Sequence, residues 1–74
     1  MARGRFHKGD KIVLTQPMFV PRATGLVPTG TTGTILHSGR WGAQVALDIP
    51  DRDGNPTLLA GILPYPTNEV ERRP

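Results

Sequence analysis

Residues 25–39 read GLVPTGTTGTILHSG, and two folds compete for them. Gly25 and Gly30 stand in the G-x-x-x-x-G relation of a phosphate-binding loop, which demands a helix after the second glycine so that free N–H groups face an anion. The residues oppose that reading. A phosphate loop needs Lys after Gly30, where this chain has Thr31, and Pro28 lies inside the loop. Thr31, Thr32, Thr34 and Ile35 are β-branched, and their stiff side chains favour a strand over a helix. Gly30 and Gly33 therefore read as glycines that let the chain turn and begin a strand without a Cβ clash.

Working outward, the rest of the chain reads the same way. Eight prolines and nine glycines leave no window of about 11 residues with a clean 3.6-residue apolar period, apart from one helical turn expected near residues 67–70. Extended segments are predicted at residues 11–15 (KIVLT), 34–37 (TILH), 43–48, 57–63 and 70–73. In the first, Ile12 and Leu14 share one face and Val13 takes the other. In the third, Ala43, Val45 and Leu47 alternate with Gln44, Ala46 and Asp48, the period-2 pattern of a half-buried strand. Residues 57–63 form a more continuous apolar run.

The reversals fit these strands. SGRWG predicts a tight hairpin with Gly39 and Gly42 at positive φ, and Asp53-Gly54 predicts another. Residues 16–29 contain Pro17, Pro21 and Pro28, so they form a long loop after the first strand rather than a central strand. Such a loop is either functional or ordered by its own apolar residues, here Met18, Phe19, Val20, Leu26 and Val27. Five short strands must curl to bury one face and dispose of their edges, which predicts an all-β fold closed as a small five-stranded barrel.

Seventy-four residues allow one domain, and a chain of this size hides only about 60% of its unfolded surface. Without cysteine, neither disulfides nor thiolate metal sites can reinforce that core. No apolar run approaches the roughly 20 residues of a membrane span, and MARGRFHKGD lacks the apolar stretch of a secretory signal, so a soluble cytoplasmic protein is expected. The formal charge is +3. Arg3, Arg5, Lys8 and Lys11 crowd the start, and Arg72 and Arg73 lie at the end. Residues 1–8 are read as a flexible basic arm and residues 9–74 as the folded domain. Such an arm attracts phosphates by releasing their counterions, and it equally serves to keep a chain end solvated.

The segments KGDKIVL, PTGTTGTIL, WGAQVALD and YPTNEVERR together resemble SH3-like barrels, in particular the small bacterial families with a KOW-type G-D-x-[VI]-x-[VL] opening. The likeness spans residues 9–73 and implies a five-stranded SH3-like barrel with a long loop after its first strand. The interval from Leu14 to Gly30 exceeds that of a KOW motif. NEVERR is also similar to the tail of the type II dihydrofolate reductases, whose likeness implies an oligomeric enzyme. In that family a V-Q-I-Y segment lines the active pore, where this chain has GILPYP, so Tyr65 alone matches.

Chemistry is sparse. DRDGN places Asp51, Asp53 and Asn55 at calcium-loop spacing, yet Pro56 takes the required glycine's place and Ile62 that of the bidentate glutamate, which leaves an Asx-type hairpin tip. His7 and His37 have no acid at ligand or triad spacing, and neither Ser38 nor the Glu69/Glu71 pair has a partner that would make a catalytic set. A non-enzymatic binding module with no cofactor and no metal is expected. Its candidate binding residues are Arg3, Arg5, Lys8, Phe19, Arg40, Trp41 and Tyr65. Trp41 beside Arg40 offers a stacking platform for a base or a hot spot for a protein; alternatively it folds over the core as a plug. Phe19, Trp41 and Tyr65, if they converge, would make an aromatic groove for an extended peptide. The expected partners are thus nucleic acid or a protein segment, with self-association through a sheet edge as a further alternative.

Overall fold

The computed structural model describes residues 4–23 and 25–74. Its elements are β1 (Lys11–Leu14), β2 (Met18–Phe19), β3 (Leu26–Val27), β4 (Thr32–Ser38), β5 (Ala43–Pro50), β6 (Pro56–Ile62) and β7 (Val70–Arg72), with no helix among the described residues. Five strands form one antiparallel sheet in the order β6-β5-β4-β1-β7, and β2 pairs with β3 in a separate small hairpin. Each of the five segments expected from the sequence is a strand of the large sheet.

Alternation sets the inner face. Ile12 and Leu14 on β1, Ile35 on β4, Ala43, Val45 and Leu47 on β5 and Val70 on β7 are buried together. The long loop is ordered by its own apolar residues: Met18 pairs with Val27 and Phe19 with Leu26, while Val20, Ala23 and Val27 join the core. The hairpin so formed lies over one side of the sheet.

Phe6 corrects the reading of residues 1–8 as a flexible arm. Its ring is 1% exposed within the core cluster, and its N–H donates to the Pro64 carbonyl at 2.8 Å. Arg72 holds this segment from outside. Its guanidinium donates to the Gly4 and Arg5 carbonyls at 2.9 and 2.7 Å, lies 5.3 Å from the Phe6 ring centroid, and sits 3.7 Å from the Asp10 carboxylate. The sequence cue for an arm was charge, and burial of about one large aromatic side chain, worth roughly 1.5–3 kcal/mol, outweighs it.

Turn geometry follows the sequence in part. Gly30 and Gly54 adopt positive φ, as do Gly9 and Gly61. Gly39 and Gly42 do not. Their turn is closed instead by a Gly39 N–H to Gly42 carbonyl bond of 2.9 Å, and a Cβ on Gly42 would stand 3.1 Å from the Ile62 carbonyl oxygen, so crowding by β6 is what selects glycine there. Residues 67–70 are not helical either: the Thr67 hydroxyl accepts from the N–H groups of Glu69 and Val70, a side-chain-made turn into β7.

The sheet is curved but not closed. β6 and β7 are its two edges, and no ladder joins them. The connection between them carries Pro64 and Pro66, both buried and both without an N–H to offer a ladder.

Candidate nucleic-acid interface

The β4–β5 turn is the centre of the candidate site. Its Gly39–Gly42 bond leaves only Arg40 and Trp41 at the tip. Trp41 is 89% exposed, which overturns the alternative that it plugs the core. The aromatic ring in the core is that of Phe6. The Arg40 guanidinium stands 5.9 Å from the Trp41 ring centroid, near the outer limit of a cation–π contact.

Other cations collect around this turn because residues 4–10 run beside the second half of β4. Arg5 donates to the Gly39 carbonyl at 3.1 Å, which fixes one of its guanidinium nitrogens at the turn. Gly9 donates to the Ile35 carbonyl, so exposed Lys8 lies on the same half of the molecule. Arg73, whose N–H meets the Lys11 carbonyl, and the exposed His37 belong to this end as well. The Lys11 ammonium is bonded to the Thr34 hydroxyl at 2.9 Å. Arg72 is occupied by Asp10 and the Gly4 and Arg5 carbonyls, so it clamps the fold rather than facing a ligand.

Acids concentrate at the opposite end. There, Asp48 accepts from Thr32, and Asp51 and Asp53 lie in the β5–β6 hairpin, with Glu69 leading into β7; the arginines at that end are Arg22 and Arg52. Charge is therefore segregated along the strand direction, which a net figure of +3 does not reveal. The Asp51 carboxylate accepts from the N–H groups of Asp53 and Asn55 at 2.8 and 3.0 Å, so it holds the hairpin tip. Among the described residues no three His, Asp or Glu side chains gather where a metal ion could bind.

The remaining candidates are dispersed. Phe19 is 73% exposed on the β2–β3 hairpin, whose tip at Pro21 and Arg22 meets Asp51–Asp53 at the acidic end. Tyr65 is 43% exposed between the buried Pro64 and Pro66. Phe19 and Trp41 are both largely in solvent. Around Tyr65 the chain has a positive-φ glycine at Gly61 and two buried prolines. Arg3 lies outside the described residues. Arg5 was visible in the sequence as a charge; its approach to a turn 34 residues away was not. No protein-family model, curated protein or solved structure matches this chain.

Proposed function

We propose that this chain is a non-enzymatic binding module, an open SH3-like barrel that holds single-stranded nucleic acid at its basic end. The observation that carries this reading is Trp41, almost fully exposed at a turn tip beside Arg40, with Arg5 bonded to the same turn. An indole in solvent forfeits burial, and stacking on a base restores it whatever the base, since every base has a π-face. Arg5, Lys8 and Arg40 then meet the flanking phosphates. Recognition by stacking and charge, without a deep pocket, suits an unpaired strand whose bases can splay out.

The test is fluorescence anisotropy of a labelled single-stranded oligonucleotide titrated with the full chain at several salt concentrations. With about three phosphates neutralised, log K is expected to fall with log salt at a slope of about −2. Trp41→Ala is expected to weaken binding by about 1–3 kcal/mol at every salt concentration. A flat salt response together with an indifferent Trp41→Ala variant would remove nucleic acid as the ligand.

One observation favours a protein segment as a second reading. Phe19 and Leu26 are opposite each other across the β2–β3 hairpin and are 73% and 64% exposed, an apolar pair left uncovered by the described residues. Loss of partner binding on Phe19→Ala, with Trp41→Ala silent, selects that reading.

A further inference from the structure

The two edges of the large sheet are unlike. β7 has three residues, two of them Glu71 and Arg72, and is followed by Arg73. β6 has seven, and from Asn55 to Asn68 no residue carries a charge. Shortness and charge are the usual means by which a soluble protein keeps a sheet edge from pairing with another chain. β7 has both; β6 has neither, its protection being limited to Pro56 at one end and the bulge at Gly61 near the other. The apolar run of β6 is also not core: Leu58 is 44% exposed, Leu63 beyond its end 51%, and of the strand only Thr57 is buried. Beside Leu59–Leu63 lies an open groove of about 350 Å³ lined on its other side by Met18, Thr67, Glu69 and Val70, and among the described residues none pairs with the free side of β6.

We propose that β6 pairs antiparallel with β6 of a second copy of this chain, about a two-fold axis at Leu58, to give one sheet across both copies. This register sets Leu58 against Leu58, Thr57 against Leu59 and Pro56 against Ala60, and it stops at Gly61, whose bulge bends the edge away. The absence of charge means that self-pairing brings no like charges face to face.

Charge selects the second copy as the occupant. Antiparallel pairing reverses direction, so the Arg40 turn of one copy lies beside the β5–β6 hairpin of the other. That hairpin carries Asp51 and Asp53 against Arg52. Gly42 is packed against the Ile62 carbonyl, so the turn sits one strand in from the edge. The Asp53 of the second copy is then about two strand spacings, roughly 10 Å, from Arg40, a gap that an arginine side chain largely spans. The two-fold repeats this basic-to-acidic approach on the other side. The inference does not rest on nucleic-acid binding.

Sedimentation equilibrium of the full chain across the micromolar range tests it. The mass is expected to rise from the 8.0 kDa of one chain to twice that value. Leu58→Lys, a change at an exposed position that places two lysines opposite each other, is expected to raise the dissociation constant on the order of tenfold or more with the far-ultraviolet dichroism unchanged. Arg40→Glu should weaken association about threefold, and Arg40→Glu with Asp53→Lys should restore it. A mass of one chain at every concentration overturns the proposal, as does a dimer indifferent to Leu58→Lys. A monomer that gains mass only with an added extended peptide assigns the edge to another occupant and overturns it too.

Discussion

Single residues explain why this small core is stable and where it is not. Phe6 is the largest fully buried side chain, although it stands between Arg5 and His7 in the most basic stretch of the sequence. Thr57 is the reverse case, a polar residue with 0% exposure whose hydroxyl has no hydrogen-bond partner among the described residues. A buried hydroxyl with no partner costs about 1–3 kcal/mol of lost hydration. Thr57→Val keeps the β-branched shape and removes the orphan group, so it is expected to raise stability by about 1 kcal/mol. The urea midpoint, with its slope unchanged, measures this; a destabilised variant would mean that the hydroxyl is satisfied.

Among the elements, β6 departs furthest from its sequence pattern. TLLAGIL reads as a buried run, yet the strand is an edge with Leu58 exposed and Leu59 and Ile62 half-buried. The register between β5 and β6 shifts between Ala43 and Gln44, where Gly61 is the extra residue at φ 80°. Only glycine takes that conformation without steric cost, which is about 1–2 kcal/mol for other residues. Gly61→Ala has open space for its methyl, so backbone strain alone is expected to appear, as a loss of about 1–2 kcal/mol in chemical denaturation. A neutral result would show that the bulge relaxes into regular pairing. Gly33 is constrained differently: a Cβ there would come within 2.8 Å of the Ala46 carbonyl oxygen, so the approach of β5 to β4 requires glycine in mid-strand.

For the whole molecule, the N-terminal segment belongs to the fold. Residues 4–6 are tied to β7 by Arg72, to the β6–β7 connection by Pro64 and to the β4–β5 turn by Arg5. Deleting residues 1–8 is therefore expected to remove a core aromatic, at about 3–5 kcal/mol by analogy with Phe→Ala. A chain of 74 residues has only roughly 4–11 kcal/mol in all, so the truncated protein should be largely unfolded or melt far lower. Thermal melts of the truncated and intact chains followed by circular dichroism check this. A basic tail of the ordinary solvated kind would make the deletion harmless.

By itself the sequence determined the five strands of the large sheet. Period-2 alternation at Ile12, Leu14, Ala43, Val45 and Leu47, the β-branched run after Gly30 and the Asp53-Gly54 turn are local signals, and steric and burial preferences act on neighbours in the chain. Only the tertiary structure decided which apolar residues became core and which charges met. Phe6 is buried because Pro64 and Arg72 come to it, and β6 is an edge because none of the described residues returns to pair with its free side. Arg5 reaches Trp41's turn because residues 4–10 lie along β4. Those outcomes depend on contacts between segments tens of residues apart, and no spacing in the chain encodes them.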